Sequence, residues 1–106
     1  MVNRGDVYLV ALDPTLGHEI KKTRPALVVS PDEMNHGLQT AIIAPMTTKS
    51  HAFPTRVAVT FRGKRGFIVL DQIRTVDHQR LVKKVGTVQG ATMARALSVL
   101  SEMFAE

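Results

Sequence analysis

The chain has 106 residues, 44% hydrophobic and 22% charged, which suits one folded domain and excludes two domains or disorder throughout. Its net charge of +5 is a footprint for an anionic partner, nucleic acid, an anionic membrane or an acidic protein segment, although solubility alone would also account for it. It holds no cysteine, so disulfides and thiolate chemistry are excluded; MVNRGDVYLV lacks a signal-peptide layout, and no apolar run approaches the roughly 20 residues that span a bilayer. A cytoplasmic protein with no membrane association is expected.

Asp6 to Leu12 reads as the first strand, apolar on both faces and ended by Asp13-Pro14. Thr15 to Thr23 is a polar loop longer than a hairpin needs. A second strand is expected over Ala26 to Ser30, then one helical turn over Asp32 to Asn35, then a short strand over Ala41 to Ala44 closed by Pro45. Thr47 to Pro54 is a second polar loop. Arg56 to Phe61 alternates at period two and is a strand. Arg62 to Gly66 reads as a basic turn, Phe67 to Leu70 as an apolar strand continued by Asp71-Gln72, and Leu81 to Val85 as a short strand. Met93, Ala96, Leu97, Leu100 and Phe104 then recur at helical spacing. Short strands without crossover helices, followed by one helix, predict a mainly β fold, a small twisted antiparallel barrel closed by a C-terminal helix.

The four histidines, His18, His36, His51 and His78, have no metal-ligand spacing, and no phosphate-cradling glycine motif or nucleophile elbow is present. No metal or other cofactor is expected. What remains is a set of Arg, Thr and carboxylate residues at strand–loop junctions. Arg24-Pro25 comes first: the proline holds Arg24 extended, and a guanidinium fixed at such an edge suits a phosphate. The plainer alternative is a surface arginine paired with a carboxylate.

The segments RGDVYLVALDPTLGHE, TRPALVVSP, IIAPMTT, LDQIRTVD and KKVGTV resemble, in order and spacing, the MazF/PemK/Kid toxin family over nearly the whole chain. That resemblance implies the SH3-like barrel shared with the gyrase poison CcdB, a homodimer, and metal-independent, sequence-specific cleavage of single-stranded RNA, mRNA above all, to 2′,3′-cyclic phosphate and 5′-hydroxyl ends. It also implies an antitoxin whose flexible acidic segment blocks the site. Arg24 matches the family's catalytic arginine and Thr47 its catalytic threonine. Glu19 and His18 match loop positions implicated in some members, and Asp71 an aspartate assigned as base in the Kid-like branch. That branch carries an arginine two residues before the aspartate, where this chain has Val69.

For in-line attack of a ribose 2′-OH, Arg24 suits stabilisation of the phosphorane charge, Thr47 a hydrogen bond to the same oxygen, Glu19 or Asp71 the base, and His18 the acid. Asp71 pairing with Arg74 is the plain alternative for that carboxylate. Lys21, Lys22, Lys49 and Arg56 are candidates to hold phosphates, Thr48 lies beside them, and Phe53 is a candidate to stack on a base. Lys64 and Arg65 read as solvated turn charges, Phe61 and Phe67 as core. A CcdB-like gyrase poison is the rival reading within the fold, but it needs a tryptophan near the C-terminus and this chain has none. An inert RNA-binding barrel is the other rival.

Overall fold

Val7, Leu27, Val29, Ala44, Met46, Val57, Ile68, Leu70 and Ala96 form one buried cluster, and Val10, Leu12, Ala26, Val28, Ala41, Ile43 and Val76 form another. Neighbouring residues of one strand divide between them, Leu27 to the first and Ala26 and Val28 to the second. Alternate side chains leave opposite faces of a strand, so the central strands are buried on both sides. The computed structural model describes residues 1–106. Its strands are β1 (Asp6–Ala11), β2 (Thr23–Val28), β3 (Thr40–Thr47), β4 (Arg56–Phe61), β5 (Lys64–Val69), β6 (Arg74–Asp77) and β7 (Leu81–Thr87). Helix α1 (Asp32–Gly37) lies between β2 and β3, and α2 (Gly90–Met103) follows β7. No helix is long and apolar enough to cross a membrane.

All pairings are antiparallel, in the order β4-β5-β3-β2-β1-β7, with β6 also pairing β3. The sheet curls until its outer strands meet: the ring of Phe61 in β4 lies against Gly86 in β7, where an added Cβ would stand 2.9 Å from the ring. This closure gives the small barrel-like form expected, and α2 covers the first cluster through Ala96 with Met93, Val99, Leu100 and Met103.

Several boundaries differ from the sequence expectation. Strand β2 begins at Thr23 and ends at Val28, so Arg24 and Pro25 lie inside it. Pro25 is tolerated because the β2–β3 ladder begins only at the next pair, Ala26 with Pro45. Pro45 does not close β3, which continues to Thr47. It stands where β3 exchanges partners, between its last pair with β6 at Ile43 and its first with β5 at Met46, so a missing N–H costs no ladder bond on that side. The helical turn at Asp32 extends to Gly37, and β7 continues to Thr87.

The basic turn shrinks to two residues. Arg62 and Gly63 carry φ of +52° and +81°, the two left-handed positions of a tight hairpin, and Lys64 and Arg65 already belong to β5. Asp71 and Gln72 do not extend β5 but form a single 3-10 turn with Leu70. The next strand, β6, was not expected. Of the helical stripe, Phe104 is 73% exposed and lies beyond α2.

Candidate functional site

The β2–β3 register pairs Ala26 with Pro45. The ladder stops there, and Arg24 and Thr47 lie just beyond it, at the end of the sheet where both strands give way to loops. Both line a cleft of about 550 Å³. One wall is the β1–β2 loop with His18, Glu19, Ile20, Lys21 and Lys22, and the other the β3–β4 loop with Lys49, Ser50 and His51. Arg56, Val69 and Gln72 complete it. Five cationic side chains thus face one carboxylate, Glu19. Of the residues expected from the sequence, the cleft gathers Arg24, Thr47, Glu19, His18, Lys21, Lys22, Lys49 and Arg56. Thr48 lies instead on an adjoining groove of about 460 Å³ that also reaches Arg24 and Thr47. Asp71 and Phe53 stand outside the cleft lining.

Arg24 donates from Nε to the Lys21 carbonyl at 3.3 Å and has no carboxylate partner; the ion pairs of the chain are Arg56–Asp71 and Lys84–Asp6. The plain reading of Arg24 as half of a surface ion pair is therefore not what the fold builds. Thr47 Oγ1 accepts the Lys49 backbone N–H at 3.1 Å, which leaves its own proton free to donate into the cleft. Glu19 accepts the Leu16 N–H on Oε1 at 2.6 Å and keeps its second oxygen for the cleft.

Asp71 is engaged. Its carboxylate accepts from Arg56 Nε at 3.1 Å and Nη2 at 3.2 Å, and from the Thr55 hydroxyl at 2.9 Å. The Arg56 hydrogen bonds, against the cost of burial and with help from Thr55, hold its pKa below the ordinary aspartate value. The same contact raises that of Arg56. Arg74 is not its partner, as the sequence had suggested; that guanidinium donates to the Leu12 carbonyl at 2.8 Å. Arg56 in turn sits directly across the β4–β5 ladder from Val69.

Two features escaped sequence reading. Gln72 donates from Nε2 to the His18 carbonyl at 3.4 Å and accepts the Ile20 N–H on Oε1 at 2.8 Å, tying down the β1–β2 loop from the far side of the cleft. Arg74 and Arg80 hold the base of the same loop through the carbonyls of Leu12 and Ala11. An amide or guanidinium on backbone carbonyls leaves no sequence pattern. The adjacency of Gln72 to Asp71 was the only signal.

Residues 3–104 match the family described as PemK-like, MazF-like toxin of type II toxin-antitoxin system. The chain belongs to that family. Endoribonuclease EndoA of Bacillus subtilis (strain 168) is 40% identical to this toxin over 92 residues, covering 80% of the chain and 78% of the relative. MazF (Form-I) from Deinococcus radiodurans superposes with a TM-score of 0.84 at 23% identity, covering 96% of this chain and 94% of the other. An endoribonuclease in complex with its cognate antitoxin, from Mycobacterial species, superposes with a TM-score of 0.81 at 26% identity, covering 96% and 93%. The two solved structures share the fold of this toxin, and EndoA aligns with it in sequence over most of its length.

Proposed function

We propose that this toxin is a sequence-specific endoribonuclease that cuts single-stranded RNA, mRNA in the cell, without a metal ion. The observation that carries this reading is Arg24, free of any carboxylate, lining with Thr47 a cleft rich in cations. The names of the relatives support the same activity. The reaction is in-line attack of a ribose 2′-OH on the adjacent phosphorus. The P–O5′ bond breaks as the P–O2′ bond forms, which leaves a 2′,3′-cyclic phosphate and a 5′-hydroxyl.

Arg24 stabilises the charge that grows on the non-bridging oxygens, where a preorganised cation acts most strongly. Thr47 donates its hydroxyl to the same group. Glu19, with one oxygen unengaged, takes the 2′-OH proton, and His18 on the same loop delivers one to the leaving 5′-oxygen. Asp71 is the poorer base, because Arg56 and Thr55 stabilise its ionised form. Lys21, Lys22 and Lys49 hold flanking phosphates.

The toxin acts in the cytoplasm as a homodimer, and its partner is an antitoxin whose flexible acidic segment lies in the cationic cleft and excludes RNA. The test is incubation with single-stranded RNA in EDTA, followed by end-group analysis. Discrete fragments with cyclic phosphate and 5′-hydroxyl ends support the reading. Binding without cleavage, or cleavage only with added metal, refutes it.

A further inference from the structure

Arg56 is the most constrained cation of the cleft. Its Nε and Nη2 fork onto the two oxygens of Asp71 at 3.1 and 3.2 Å, and Nη1 donates to Ser50 Oγ at 2.8 Å. Its Cζ lies over the Phe53 ring, 5.8 Å from the centroid. Three groups from two loops thus fix the guanidinium in place and orientation.

That fixation changes what Arg56 can bind. The fork that would grip a phosphate already grips a carboxylate. The pair has no net charge, and a phosphate approaching it would meet Asp71 as well. Arg24, which has no carboxylate beside it, is the better phosphate site. What Arg56 keeps is the face of its plane turned away from Phe53. Guanidinium planes stack on bases as aromatic rings do, and single-stranded RNA is held largely by such stacking. No Phe or Tyr lines the catalytic cleft; its aromatic rings are the imidazoles of His18 and His51, which no hydrogen bond fastens in place. Arg56 is the planar group that the fold locks there.

We propose that Arg56 is the nucleobase platform of this cleft, stacking one base of the bound strand close to the scissile phosphate, with Asp71, Ser50 and Phe53 as the positioning residues that hold it. Asp71 then serves recognition and not proton transfer. The proposal rests on the RNA-cleaving reading above and assigns Arg56 a different role from the phosphate contact expected of it.

The test is a double-mutant cycle between protein and RNA. The RNA is a short single strand around a mapped cut site, with 2′-deoxyribose at the scissile nucleotide to prevent cleavage. A series carries one abasic residue at each position in turn. Binding to the full chain is read by fluorescence anisotropy for wild type, Arg56→Lys and Asp71→Asn. Stacking on a side chain is worth about 1–3 kcal/mol per base, so one abasic position near the cut should weaken wild-type binding by roughly 5- to 150-fold. Arg56→Lys keeps the cation and loses the plane. It should bind the intact strand correspondingly more weakly, and the same abasic substitution should then cost it nothing further. Asp71→Asn, which leaves Arg56 in place but unfastened, should show a smaller loss at that one position. The proposal is overturned if Arg56→Lys binds the intact RNA as wild type does, or if its loss multiplies with every abasic position alike. A wild type that cuts no RNA overturns the nuclease reading and the platform with it; cleavage with multiplicative losses overturns the platform alone.

Discussion

Gly66 offers a direct probe of how the fold positions Thr47. It lies in β5 where that strand passes the end of β3. A Cβ at this position would stand 2.5 Å from the Thr47 carbonyl oxygen, 3.1 Å from its carbon and 3.3 Å from Thr48 Cα. Ordinary non-bonded separation is about 3.5 Å, so Gly66→Ala requires a shift of roughly 1 Å. The opposing atoms are all backbone, and no side chain can swing aside. Overpacking of this kind costs about 1–3 kcal/mol, or about 4–8 °C of melting temperature for each kcal/mol in a domain near this size. The displaced atoms belong to Thr47 and Thr48, which share a groove with Arg24, and a misplacement of about 1 Å at a reacting centre costs on the order of 10²-fold in rate. Gly66→Ala should therefore lose both stability and RNA cleavage, with the rate falling further than the unfolded fraction explains. Gly90→Ala is the control: nothing lies within 4 Å of its Cβ, and alanine in the first turn of α2 should leave the melting temperature unchanged or raise it. Thermal unfolding by circular dichroism with cleavage measured well below the transition separates the two effects. A Gly66→Ala protein with wild-type melting and wild-type cleavage would refute the claim that β5 fixes Thr47.

Other perturbations read other parts of the account. Gln72→Ala removes both bonds to the β1–β2 loop, worth about 1 kcal/mol each, so the melting temperature should fall by about 4–8 °C for each bond lost; hydrogen exchange should rise over residues 15–22 and cleavage should fall. Gly86→Ala places a Cβ 2.9 Å from the Phe61 ring at the barrel seam and should lower the melting temperature without a specific effect on the cleft. The depressed pKa of Asp71 gives a pH signature: its contribution is complete above the unfolded aspartate value of about 3.8 and is lost as pH falls through the lower folded value. Melting temperature followed across that acid range should drop less steeply in Asp71→Asn than in wild type.

The sequence disclosed those elements whose physics is local. Arg56 to Phe61 alternates in hydropathy and is β4 with the expected bounds. Of the helical stripe, Met93, Ala96 and Leu100 pack against the core in α2. What it hid depends on partners distant in the chain. Arg74–Asp77 is too short and polar to read as a strand, and becomes one because β3 offers its edge. Pro45 looked like a strand end because proline lacks a donor, but β3 changes partner there and no donor is needed. Arg62 at positive φ is unfavourable for its residue type, and only the hairpin geometry of β4 and β5 explains it. At the site, Arg24, Thr47 and Glu19 were legible by resemblance and stand in one cleft. The partner of Asp71 was not legible: Arg56 reaches it across the β4–β5 ladder, a distance in sequence that no local pattern reports.

The central claim is that Arg24 supplies the cation for phosphorane stabilisation. Its most direct test is the single-turnover rate of Arg24→Ala on a single-stranded RNA in EDTA, with folding checked by circular dichroism. Loss of one such preorganised donor predicts a folded protein slower by about 10²–10³-fold. A folded Arg24→Ala protein that cleaves at near the wild-type rate would contradict it.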